Sequence, residues 1–182
     1  MNFSNLINIR QSVRKYVDKH VEPEKLHACL EAARLAPSAS NSQPWTFIVV
    51  NDPELKHKVA NETYGPFMTF NKFVPQAPVI VVLVLEKPKL ITEVGGRLKR
   101  KEYPLIDIGI AAEHFCLQAA ELGLGTCMLG WFNEKTIKQI LHIPSTKTIG
   151  LLITLGYPPD DYRIRQKVRK SLAELVRYNS YQ

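Results

Sequence analysis

The chain is poor in what extracellular and metal-stapled folds need. It has three cysteines, Cys29, Cys116 and Cys127, an odd number with no CxxC pair, which argues against a disulfide framework or a zinc site of familiar spacing. No apolar run approaches the roughly 20 residues that span a bilayer; the longest, VIVVLVL at 79–85, has seven. The N-terminus, MNFSNLINIRQ, lacks the basic and apolar regions of a signal peptide. A reducing cytoplasm is the expected compartment. Also missing are a GxGxxG after a strand, a GxxxxGK[ST] loop and a GxSxG elbow. None of the five histidines lies beside a nucleophile in a recognisable motif. Acid–base, metal and P-loop chemistry thus have no obvious carrier, and a redox cofactor is the natural alternative.

What is present is an ordinary globular composition, 45% hydrophobic and 23% charged over 182 residues, the size of one domain. The expected unit is a single domain, 1–182. Net charge is +7, which permits an anionic partner without demanding one. Basic residues cluster at 97–101 (RLKRK), read as a solvated loop, and at 163–170. Neither cluster has the interleaved aromatics of a nucleic-acid face, so no nucleic-acid or membrane partner is expected.

Hydrophobic period and punctuation predict helices over 2–11 (Ser4 as cap), 23–35, 53–63, 105–122, 134–141 and 172–177. Strands are expected at 46–50, 79–85 and 149–155, with a short strand or turn at 127–131. Val79–Leu85 is apolar on both faces and should be central in a covered sheet. Residues 86–104, charged and glycine-containing, read as a mobile loop. The helix at 105–122 is apolar around much of its girth. Strands interleaved with helices give a three-layer α+β or α/β domain.

Four segments can carry chemistry, and each alone has a plain reading. In Arg10-Gln11-Ser12-Val13-Arg14, two guanidiniums and a hydroxyl converge if the chain is extended; otherwise it is a solvated basic turn. Ser38-Ala39-Ser40-Asn41-Ser42-Gln43-Pro44-Trp45 offers small residues and polar side chains able to meet a heterocycle, or simply makes a turn. Lys167-Val168-Arg169 can face one anion, or water. GLGTCMLGWF at 123–132 ends a helix and exposes glycine N–H groups, or is a helix stop and core turn.

In this order and spacing the four resemble the FMN-dependent nitroreductase family, from RxSxR through APSxSNSQPW, GLGTCMLGWF and LGYP to KxR, over nearly the whole chain. The resemblance implies a three-layer α+β sandwich with a central mixed β-sheet flanked by helices, and a homodimer with two FMN sites in its interface. It implies that Arg10 and Ser12, with Gln11 between them, bind the phosphate end together with Lys167 and Arg169, and that Arg14 lies toward the pyrimidine. Pro37, Ser38, Ala39, Ser40 and Asn41, with Gln43, would line the site from the partner subunit. Gly130 would offer its backbone N–H to flavin N5, with Trp131 beside it, and Asn71 would contact the flavin. No side chain would be catalytic, because FMN carries the chemistry. NADH or NADPH would donate electrons, and a small organic acceptor such as a nitroaromatic or quinone would take them by a ping-pong scheme.

Ala39 replaces a hydroxyl found in some relatives, and Gly130 an acidic residue found in well-known bacterial members. The short chain leaves no room for a long substrate-covering helical insertion, which disfavours the deiodinase-like and flavin-destroying branches. A flavin carrier or sensor without turnover is the alternative function.

Overall fold

The computed structural model describes residues 2–99 and 101–181, apart from the side chains of Arg97 and Lys99. Part of the basic cluster at 97–101 therefore lies outside the described residues. Four strands form one sheet in the order β1-β2-β4-β3: β1 (Trp45–Val50), β2 (Val79–Leu85), β3 (Gly125–Leu129) and β4 (Thr148–Gly156). All three pairings are antiparallel. The sheet is thus antiparallel where a mixed one was expected; among the described residues parallel pairing is confined to an isolated bridge from Ser12 to Thr126, which joins the Arg10–Arg14 segment to the outer edge of β3.

β2 shows how sequence becomes layer. Its side chains alternate across the pleat, and six of its seven residues are buried. Ile80, Val82 and Val84 enter one core with Val59 and Ala60 of α3 (Pro53–Asn61) and Ile137 of α6 (Glu134–Ile140). Val79, Val81 and Leu83 enter the other with Cys29 and Ala33 of α2 (Pro23–Arg34) and Ile108, Ala112, Phe115 and Ala119 of α5 (Tyr103–Glu121). Burying one such side chain is worth about 1.5–3 kcal/mol, so β2 contributes heavily to both cores. β1, expected as a buried strand, is an edge with one buried residue, Val50.

Two expectations need correction. The cap of α1 (Phe3–Ile9) is Asn2, whose side chain accepts from Asn5 N at 2.8 Å, and not Ser4, which is the second helical residue. Residues 86–104 are not a loop: they contain α4 (Leu90–Lys99). Charge and Gly95-Gly96 masked its apolar residues Leu90, Ile91, Val94 and Leu98, which are exposed in the single chain and so lacked the cue of a covered face. A short α7 (Leu172–Leu175) closes the chain with a capping box from Ser171 and Glu174.

Candidate functional site

After Arg10 caps α1, the backbone turns extended, and Val13 N donates to Thr126 O at 2.8 Å. Val13 is buried while Ser12 and Arg14 face the other way, as the alternation of an extended chain requires. The close approach depends on Gly125. A Cβ there would lie 2.7 Å from Val13 Cγ2, too close for any side chain.

The tail returns to the same segment. Gln11 Nε2 donates to Arg163 O at 3.2 Å, and Gln11 Oε1 accepts from Arg165 N at 3.1 Å. Arg165 Nη2 donates to Ser12 O, and Lys167 Nζ to Arg10 O, each at 2.5 Å. Between them lies a cavity of about 260 Å³ lined by Arg10, Gln11, Ser12, Arg14, Arg165, Gln166, Lys167, Val168 and Arg169. Five of these side chains are cations and none is a carboxylate. Glu113 on α5 lies 3.1 Å from Arg10 Nε, yet that buried Nε is not aligned to donate to anything among the described residues. Burial, then the neighbouring charges of Arg10 and Arg169, hold the Lys167 ammonium below its ordinary pKa. Such a cluster is short of an anion: like charges about 4 Å apart repel by about 1 kcal/mol in water and about 4 at an effective dielectric of 20.

The second region is built differently. Ala39–Asn41 form a 3₁₀ turn, and Ser40 and Asn41 within it and Gln43 just beyond it all have φ near +50°, unusual for residues with a Cβ. The contortion is held from outside. Ala39 N donates to both carboxylate oxygens of buried Asp107 on α5 at 3.1 Å, a carboxyl whose pKa burial raises. Ser42 Oγ lies 2.8 Å from Thr92 Oγ1, and Lys89 Nζ donates to Ser40 O at 3.3 Å. Gln43 Nε2 donates to Asn41 Oδ1 at 2.9 Å and Gln43 N to Ser38 Oγ at 2.9 Å. Pro37 leads in, exposed.

A third group sits at the end of β3. Gly130 is exposed, with nothing within 4 Å of where its Cβ would be, and Trp131 is 54% exposed. Asn71 is buried, and Nδ2 donates to Trp131 O at 3.2 Å and Thr63 O at 3.0 Å.

The structure thus gathers Arg10, Gln11, Ser12, Arg14, Lys167 and Arg169 around one cavity. Gly130, Trp131 and Asn71 form a separate group four residues along β3 from Thr126, roughly 13 Å at strand rise. The cavity that holds the cation cluster has no residue of the 37–43 loop in its lining. Arg165 escaped the sequence reading, although Arg163, Arg165, Lys167 and Arg169 stand at every second position, a period-two signal for one shared face. Asp107, Thr92 and Lys89, which hold the loop, left no such mark.

The three-layer α+β scaffold therefore carries a cavity lined by five cations and no carboxylate, and, apart from it, an open glycine turn at the end of β3. The profile of the Nitroreductase family matches residues 7–157, and the chain belongs to that family, with the fold and oxidoreductase character this entails. A nitroreductase family protein from Clostridium novyi is 36% identical, with a TM-score of 0.78 over 88% of this chain and 87% of that one. An FMN-dependent nitroreductase from Clostridium difficile is 29% identical, with a TM-score of 0.79 over 98% and 100%. Mouse iodotyrosine deiodinase 1 is 26% identical over 96% of this chain and 68% of its own length.

Proposed function

We propose that the whole chain, 1–182, is one FMN-binding domain that works as a homodimer in the cytoplasm. In this reading it takes electrons from NADH or NADPH and passes them to a small organic acceptor, such as a nitroaromatic or quinone, by a ping-pong scheme. The observation that carries this is the five-cation cavity without a carboxylate, on a nitroreductase-family fold. At about 260 Å³ it is smaller than sites that bury a whole drug-sized ligand, about 300–1,000 Å³. It suits one end of FMN, the phosphate.

Bound flavin supplies the electron chemistry; the residues bind and orient. Arg10, Lys167 and Arg169 neutralise the phosphate end, Ser12 and Gln11 add polar contacts, and Arg14 serves the pyrimidine side. Arg165 holds Gln11 and Ser12 in place. The Gly130 turn presents backbone N–H toward the redox edge, with Trp131 beside it. Pro37, Ser38, Ala39, Ser40, Asn41 and Gln43 serve the partner's flavin. The exposed apolar residues Leu90, Ile91, Val94, Leu105 and Ile106 give the dimer a surface to bury. Compartment is supported by three unpaired, buried cysteines, and no helix among the described residues is long and apolar enough to cross a membrane.

The purified protein should be yellow, prefer FMN to riboflavin, and bleach when NADH or NADPH is added without oxygen. Colourless protein that takes up no supplied FMN overturns the reading. Bleaching without turnover of any acceptor would leave a carrier or sensor.

A further inference from the structure

Asn71 spends both of its amide hydrogens inside the protein. Nδ2 donates to Thr63 O at 3.0 Å and to Trp131 O at 3.2 Å. Both partners are carbonyl oxygens, which only accept, so the nitrogen must face them and the orientation of the amide is settled by chemistry. Nothing donatable is left for a ligand. The anchor is firm: Thr63 is fully buried, and its Oγ1 donates to Ala60 O at 2.7 Å. A second stitch lies beside the first, where Asn133 N donates to Glu62 O at 2.7 Å. The four residues from Gly130 to Asn133 are thus tied at two points to the chain leaving α3. Gly130 itself has open space about its Cα, and Trp131 is half-exposed.

We infer that Asn71 is a positioning residue: it brackets the Gly130–Trp131 backbone against Thr63, and so aims the N–H groups of this turn at the flavin edge without donating to the flavin itself. The inference rests on the proposed function in taking Gly130 as the flavin N5 neighbour. Losing the bracket should leave cofactor affinity, carried by the cation cavity, nearly intact, and should disturb the electronics of the bound ring.

The test uses Asn71→Leu and Asn71→Ser in a Trp45→Phe background, so that Trp131 is the sole tryptophan. The leucine matches asparagine in size. The serine leaves room for water to hydrate both carbonyls and protects the experiment if the leucine variant does not fold. In the apoprotein, Trp131 fluorescence anisotropy should fall in both variants. In the loaded protein, FMN affinity should stay within about threefold. The midpoint potential should shift and kcat drop by about tenfold, with KM for the nicotinamide little changed. Unchanged anisotropy and potential in a folded variant overturn the inference. So does a large loss of FMN affinity with Trp131 still rigid, which would mean that Asn71 grips the flavin directly. Failure to bind any FMN sinks the proposed function instead, and the anisotropy of the apoprotein still reads the bracket.

Discussion

The cation cavity and the 38–43 loop solve opposite problems within one chain. The cavity gathers five like charges and leaves them without a carboxylate among its lining residues; it holds an excess of positive charge. The loop has its polar groups largely satisfied, by Asp107, Thr92, Lys89 and its own side chains, and holds three residues in the left-handed region. One is built to attract and the other to present a shape. In the proposed homodimer each would supply half a site, completed by the other half from a second copy.

Breaking the charged half should have the largest and most selective effect. Lys167→Met or Arg169→Ala each removes a charge-assisted contact worth roughly 1.5–3 kcal/mol. FMN affinity should therefore fall by about 10- to 100-fold, and riboflavin affinity should hardly move. Parallel titration of the two ligands checks this, and equal losses would remove the phosphate role.

Next in size is the seam that supports the cavity. Gly125→Ala drives a methyl into Val13, an overpacking that costs typically 1–3 kcal/mol. Chemical denaturation should show that loss, and calorimetry a weakened FMN phosphate contact as the Arg10–Arg14 segment is pushed off β3.

The shaped half should respond without regard to phosphate. Ser40→Val puts a β-branched residue at φ 52°, a strain of order 1–3 kcal/mol. FMN and riboflavin affinity should drop together, which contrasts directly with the Lys167 variant.

The smallest effects come from pH. Lys167 binds an anion only while protonated, and its pKa already lies below the ordinary value. FMN affinity should be full at neutral pH and fall as pH rises above that lowered pKa, sooner than an ordinary lysine would allow. Riboflavin affinity should stay flat. For Asp107, burial raises the folded pKa above the unfolded value of about 3.9. Its contribution is therefore most favourable at acid pH and is lost as pH rises through the folded pKa. Asp107→Asn keeps an acceptor for Ala39 N and sheds the buried charge. It should melt slightly higher than the parent at pH 7 and alike at pH 3.

The two regions also differ in how legible they were. RxSxR and KxR announce themselves because extended backbone puts alternate residues on one face, and the same rule would have added Arg165. The core of β2 was legible for a similar reason: an unbroken apolar run has few places to go other than between two layers. The loop could be recognised as a segment and not as a shape, since its left-handed residues Ser40, Asn41 and Gln43 are held by partners about 50 to 70 residues away, Asp107 and Thr92 among them. α4 itself was invisible because its apolar residues Leu90, Ile91, Val94 and Leu98 lie exposed in the single chain and its glycines read as loop. Asn71 entered as a flavin contact through the family resemblance alone, since a sequence does not say where the hydrogens of an amide go; in the structure they go to Thr63 O and Trp131 O.

Subunit complementation tests the central claim most directly. Arg10→Ala disables the charged half and a bulky replacement of Ser40 the shaped half. Each homodimer should fail to hold FMN at concentrations that load the parent. Co-refolding the two should give heterodimers with one intact site, so that about half of the mixed dimers' sites recover flavin and NAD(P)H-dependent reduction. Mixtures that recover no flavin, or a parent protein that runs as a monomer at micromolar concentration with FMN fully bound, would contradict it.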